Sequence, residues 1–373
     1  MSSFSCSYDT TRQINFNDRI VDLISKINNK PSNIVSFTFF GATNEERYFE
    51  ELAIIKATLQ TYFVTSPLVT YVAQPLQTAD ELAMEVTLLD KSEAAATVQF
   101  KQLHDVRYAV CESDANRFLM VEGVFGRSFS DSVAQQSAEV FSKIESILTA
   151  ENIPIQNIVR QWNYIGRITE IAGQSQNYQA FNDARAHFYE KALWSDGYPA
   201  ATGIGMCCNG VLVSLIALAP SSSAKIIPIN NPLQIPAFAY SAEQLIGKSE
   251  MPKLTPKFER AKIVQTKSGT ICFVSGTAAI RGEKSMTEVD ATQQTQQTIE
   301  NIERLISNEN LNQHGIANAQ LKVSALRIYL KHWEDFASIH QVVAAHWGNA
   351  PAVYLQADIC REELLLEIEA IAT

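Results

Sequence analysis

Two stretches of this chain, one from Phe118 and one from Phe273, read as copies of a single unit. Each opens with a β-rich strand carrying a glycine, Gly123 or Gly276, and crosses a loop containing an aspartate to a Gln-Gln pair, 135–136 or 293–294. An amphipathic helix follows, with Val140, Ile144, Ile147 and Leu148 in one copy and Ile299, Ile302, Leu305 and Ile306 in the other. The parallel continues through predicted strands 157–168 and 320–330 and predicted helices 177–193 and 335–347. It ends with 198–205 matching 350–361 and 211–219 matching 365–372. A third, eroded copy occupies the front, as a strand at 33–41, a helix at 45–61 and an echo of the C-terminus at 67–89. That echo sets Glu85 opposite Glu367, with Ser214 as the counterpart in the middle copy. A self-similar chain of this length predicts an α+β fold of three units, each with helices on one face of a mixed sheet. The units fall at 1–114, 115–254 and 255–373, in a pseudo-threefold arrangement within one monomer. Loop-like segments at 230–238 and 250–259 mark the second boundary.

Net charge is −10 with no run of Lys or Arg, which argues against nucleic acid or an anionic membrane as partner. No apolar stretch reaches membrane-spanning length. The N-terminal residues carry neither an apolar h-region nor an Arg-rich pattern, so a cytoplasmic location is expected. Cys6, Cys111, Cys207, Cys208, Cys272 and Cys360 are scattered and read as free thiols in a reducing compartment. Metal-ligand spacings are absent, and His340 and His346 lie six apart on a predicted helix, sharing no face. Neither a P-loop, a dinucleotide fingerprint nor a nucleophile elbow is present, so no metal or organic cofactor is expected. What remains is a small-molecule site in a cleft between units.

The closing strand, LLLEIEAIA, puts Glu367 and Glu369 on one face and Leu366, Ile368 and Ala370 on the other. Carboxyl groups among so many apolar residues are either a solvent-facing pair on an edge strand or a buried acid. Arg185, Arg361, Arg160 and Arg167 are candidate cations for an anionic substrate. Tyr164, Tyr198 and Tyr354 offer hydroxyls, with Asn163 and Thr202 as weaker polar candidates. In YPAATGIG (198–205), Gly203 and Gly205 allow a ligand or another backbone to approach closely.

The closing strand resembles that of RidA/YjgF proteins, small trimers with sites between subunits. Members of that family place an Arg about 15 residues before the first Glu of the strand; here that position is near Ala352. A more specific resemblance is carried by RQWNYIGRI (160–168), YQAFNDAR (178–185), YPAATGIG (198–205), SGTAAIRG (275–282) and DICREELLLEIE (358–369). Together, in this order, they resemble the chorismatase family. The resemblance implies a pseudo-threefold monomer, without metal or organic cofactor, whose site lies between the central and C-terminal units. It implies cleavage of the enol ether of chorismate to pyruvate and either a hydroxybenzoate or a dihydroxycyclohexadienoate. Glu367 then matches the proton donor, with Arg185, Arg361, Tyr164, Tyr198, Tyr354, Cys360, Ala279 and Gly203 around the substrate. Cys360 is the variant found with hydroxybenzoate formation, whereas Ala278 or Ala279 stands where a Gly would complete that pattern. The alternatives are a RidA-like hydrolase or deaminase acting on another small enamine or imine, and a non-catalytic RidA-like binding protein.

Overall fold

The computed structural model describes residues 4–373 apart from 14, 28–32, 90–95, 113–115, 127, 174, 221, 246–252, 268, 318 and 349, with backbone only at Phe4 and Ser5. These residues form three large sheets. The first contains β1 (Phe4–Thr11), β2 (Ile34–Gly41), β3 (Leu68–Val72) and β4 (Leu82–Leu89), with α1 (Phe16–Ser25) and α2 (Tyr48–Tyr62) along it. The second contains β5 (Thr97–Leu103), β6 (Val106–Glu112), β7 (Arg117–Phe125) and β8 (Ile158–Gly166). After the short ribbon β9 (Ile171–Ala172) and β10 (Ser175–Gln176), it is completed by β11 (Ala200–Met206) and β12 (Val211–Leu218). Helices α3 (Val133–Ala150) and α4 (Asn177–Tyr189) cover it. The third contains β13 (Lys225–Ile229), β14 (Ala261–Thr266) and β15 (Gly269–Thr277), followed by the ribbon β16 (Ile280–Arg281) and β17 (Lys284–Ser285). Then come α5 (Ala291–Ile306), α6 (Asn308–Gln313), β18 (Val323–Leu330), α7 (Phe336–Trp347), β19 (Ala352–Gln356) and β20 (Leu366–Ala372).

The second and third sheets have one strand order, β11-β8-β12-β7-β6-β5 and β19-β18-β20-β15-β14-β13. The first sheet, β3-β2-β4-β1, matches the four strands of each counted from the β11 or β19 edge. In each, the edge pair is parallel (β2/β3, β8/β11, β18/β19) and the closing strand runs antiparallel to it. The boundary expected at 115 lies outside the described residues, yet β5 and β6 before it pair with β7, so the second sheet begins at Thr97. Likewise β13 pairs with β14, so strand 225–229 joins the third sheet ahead of the boundary expected at 255.

The Gln-Gln pairs of the repeat have a mechanical role. Gln135 and Gln293 close capping boxes with Ser132 and Asp290 at the starts of α3 and α5. The next residue, Gln136 or Gln294, is buried and tethers the closing strand. Its side-chain oxygen accepts from Val211 N at 3.0 Å or from Leu365 N at 2.9 Å. In this way a helix start fixes where β12 and β20 begin.

Hydrogen-bonded register corrects the expected match of Glu85 and Ser214 to Glu367. Ser214 faces Trp162, two residues before Tyr164, and Glu369 faces Arg327, two residues before Tyr329. Glu85 faces Thr38, which pairs with Thr70 just as Trp162 pairs with Thr202. Glu85 and Ser214 therefore occupy the level of Glu369, and Leu212 that of Glu367. The sequence alignment slipped by two residues, a shift that keeps every side chain on its face.

Edge strand β11 lies against β15, and edge strand β3 lies against β7. Segments just past the three edge strands meet one another: Cys207 N donates to Ala73 O, Gln356 N to Pro75 O and Gly205 N to Asp358 O, at 2.7, 2.8 and 2.9 Å.

Candidate active site between the second and third sheets

Strand β20 is interior to its sheet, between β15 and β18. Leu366, Ile368 and Ala370 face the helices and pack in the third core. Glu367 and Glu369 face away from that core, and both are buried, at 5% and 4% exposure. The solvent-facing alternative for this pair is thereby overturned. The alternation read from the sequence holds, but the face opposite the helices is covered by the second sheet rather than by water.

The two carboxyls have opposite environments. Burial alone would raise Glu369, but Arg160 and Arg327, together with hydrogen bonds from Thr202 and Trp162, hold it below the usual carboxylate range. Arg160 Nη2 lies 2.7 Å from Glu369 Oε2, Arg327 Nη1 3.3 Å from Oε1, and Trp162 Nε1 donates to Oε1 at 2.8 Å. Thr202 Oγ1 also donates to Glu369. Glu367 makes no ion pair with any described residue. Burial, and then the charge of Glu369, push its carboxyl up to about 8, against weaker pulls from Arg160 and Arg260. Such a carboxyl is neutral at pH 7 and able to donate a proton. Gly276 on β15 makes room for it, since a Cβ there would collide with the Glu367 carboxyl.

Glu367 opens on a cleft of about 810 Å³, including its mouth, between α4 and β11 of the second sheet and β15, β20 and the turn before β20 of the third. Arg185, Gly203, Cys360 and Arg361 all line it, as does Ala278. Four other expected residues are elsewhere. Ala279 is fully buried, its neighbour Ala278 being the one at the cleft. Tyr164 faces the centre of the molecule, where its hydroxyl accepts from Arg327 Nη1 at 2.9 Å. Tyr198 packs on Tyr189, Trp194 and Phe238, and Tyr354 on Phe336 and His340. Each ring fills an apolar gap, as its aromatic body favours. Gly203 lines the cleft, but a Cβ there would meet the ring of Tyr178 at 2.9 Å. Gly205 is needed where β11 crosses the backbone of Asp358.

The sequence reading missed Arg260 and Tyr240. Arg260 Nη2 lies 2.6 Å from the Tyr240 hydroxyl, and the Tyr240 ring stacks against both Arg260 and Arg361, at 5.5 and 5.2 Å. Each lies just past one of the stretches read as loop, 230–238 and 250–259, where the chain gives no periodic signal. Tyr178 and Asn182 were also missed, although their spacing to Arg185 puts all three on one face of α4.

Arg185, Arg260 and Arg361 are buried, at 1%, 4% and 8% exposure, and none pairs with a carboxylate among the described residues. Arg185 Nη2 bonds Asn182 Oδ1 at 2.6 Å, and Arg361 Nη1 bonds Glu283 O and Ser285 Oγ at 2.9 and 3.0 Å. Arg185 Nε, Arg260 Nε and Asn182 Nδ2 are buried donors without a partner. Buried cations and orphaned donors converging on one cleft make a site for a small anion. The Cys360 thiol is pushed up to about 12 by burial and by Glu367, so it stays protonated. Among the described residues, no group of three His, Cys, Asp or Glu is placed to hold a metal ion. No described helix is long and apolar enough to cross a membrane.

Comparison with known proteins agrees with this division of the chain. Residues 93–217 match the family model described as chorismatase FkbO/Hyg5-like, N-terminal, and residues 258–373 match the endoribonuclease L-PSP model. A 3-hydroxybenzoate synthase of Streptomyces hygroscopicus is 34% identical over 231 residues, 59% of this chain and 65% of that protein, just under two thirds of its length. A chorismatase of the same organism is 30% identical over 254 residues, 67% of this chain and 70% of that protein. The 3-aminoacrylate deaminase RutC of Acinetobacter baylyi is 30% identical over 126 residues, 33% of this chain and 94% of its own length. A crystal structure of a chorismatase matches over all of both chains with a TM-score of 0.75 at 23% identity, showing the same fold. The chain belongs to the chorismatase family, on a scaffold of RidA-like units.

Proposed function

We propose that this protein cleaves the enol ether of chorismate, with Glu367 as proton donor. One observation carries the reading: a buried, neutral carboxyl faces a cleft whose three guanidiniums have no carboxylate partner among the described residues. Chorismate brings two carboxylates to those cations. Glu367 gives its proton to the enol-ether methylene, leaving an oxocarbenium ion and a Glu367 carboxylate. Water then adds to the cation and the hemiketal collapses to pyruvate and a dihydroxycyclohexadienoate, or the neighbouring ring hydroxyl displaces pyruvate from the ring carbon, its proton passing to the Glu367 carboxylate. The ring epoxide formed by the second route opens to the hydroxybenzoate. With the internal hydroxyl, chorismate divides into pyruvate and hydroxybenzoate with no water consumed. Cys360 in the cleft and the relative named 3-hydroxybenzoate synthase favour this product.

We read the three sheets as three units about a pseudo-threefold axis; the first sheet ends at Leu89 and the second begins at Thr97, and the second ends at Leu218 and the third begins at Lys225. Among the described residues the first sheet ends at β1, where the second and third sheets each carry two further strands. The relative named 3-aminoacrylate deaminase points to a second reading, since protonating an enamine carbon is the same elementary step. The three guanidiniums favour a dicarboxylate over that smaller acid. Incubating the protein with chorismate and separating the products by chromatography tests the assignment. Hydroxybenzoate and pyruvate in equal amounts support it, and an untouched substrate overturns it.

A further inference from the structure

The molecule holds a second cleft built like the first. It lies where β3 packs on β7, as β11 packs on β15 at the first. Arg107 precedes Tyr108, which faces Val121; Arg260 precedes Ala261, which faces Val274. Arg107 thus sits at the level of Arg260. Gly123, like Gly276, comes two residues after that facing valine. Lys56 projects from α2 into this cleft, as Arg185 does from α4 into the first.

The acid level has changed, for Leu212 stands where Glu367 does. A different carboxyl enters instead, from Glu122 on β7, which is buried and accepts a hydrogen bond from Thr70 Oγ1 at 2.7 Å. Burial raises its pKa, with Thr70 and Ser214 pulling the other way. Asp105, at the mouth, is neutralised by Lys143 Nζ at 2.8 Å. Lys56 is exposed, Arg107 is half-buried, and neither has a carboxylate partner among the described residues. Lys56 and Arg107 both line this opening, so two like charges face it. Arg107 Nη2 donates to the carbonyl of Ser66 at 2.9 Å, and its guanidinium lies 5.6 Å from the Phe100 ring. The wall is apolar: Phe49, 48% exposed, stands edge-on to Phe125 at 5.6 Å, above Leu52 and Leu59.

We propose that this second cleft binds a small aromatic carboxylate, held by Lys56 and Arg107 with its ring against Phe49 and Phe125. The carboxylate relieves the repulsion between the two cations. The ring covers the half of Phe49 that its neighbours Tyr48, Phe125 and Phe129 leave exposed. With no acid at the position of Leu212, the cleft binds without turning its ligand over. This holds whether or not the first cleft acts on chorismate.

The probe is 4-fluorobenzoate, titrated into the full chain and followed by fluorine NMR. Wild type shows a binding event that the Lys56→Ala, Arg107→Ala double variant weakens by roughly tenfold or more, and that Lys56→Arg retains. Any event at the first cleft is untouched by these changes. The proposal is overturned if wild type binds no probe, or if the double variant, melting like wild type, keeps every event. Retention by Lys56→Arg with loss in the double variant separates charge from a folding defect.

Discussion

Arg327 of the third sheet grips both carboxylate oxygens of Glu85 in the first, at 2.7 and 2.6 Å. Its third nitrogen reaches Glu369 at 3.3 Å. The front sheet, which gives no residue to the substrate cleft, thereby anchors the charge that sits beside the proposed acid. All three groups are buried, at 4–5% exposure. Removing one partner strands a buried charge. Glu85→Gln should therefore lower stability by about 3–5 kcal/mol, read from urea unfolding. A loss within a few tenths would show that the ion pair is dispensable.

Glu369 also sets the pH at which the acid works. Glu367 must be protonated to act, and its pKa is raised, so kcat/KM should be flat on the acid side and fall as pH rises through about 8. In Glu369→Gln the neighbouring negative charge is gone while Arg160 and Arg327 remain. The Glu367 carboxyl then ionises more easily, and the alkaline limb moves to lower pH. A limb that stays in place or moves higher would contradict the assignment of Glu369.

Gly276 tests the position of the acid without changing its chemistry. An added methyl would strike the Glu367 carboxyl and approach Thr202 Cγ2 to 3.2 Å. Gly276→Ala should displace the carboxyl and lower kcat by about a hundredfold, with KM changing much less. Unchanged kcat would mean that the acid is free to move or is not the donor.

Much of this was legible in the sequence because regular elements announce themselves through periodicity. The repeat, the two Gln-Gln capping motifs and the alternation of β20 all follow from local chemistry, and Glu367 and Arg185, named from their motifs, line one cleft. Position along an irregular segment does not. Arg260 and Tyr240 lie in or beside chain that only tertiary packing brings to the cleft. Tyr164 was expected at the substrate because its motif is, yet alternation along β8 turns it to the central ion-pair cluster. The outer strands β5, β6 and β13 were missed: β5 and β13 are partly exposed edge strands, and β6, though mostly buried, is marked by its hydrogen bonding between β5 and β7 more than by its sequence.

The most direct test compares wild type with Glu367→Gln in pyruvate release from chorismate under single-turnover conditions. The account predicts release by wild type and a fall of roughly 10²–10⁴-fold in the variant, with binding of chorismate retained. Equal rates in the two proteins, or no pyruvate from wild type, would contradict it.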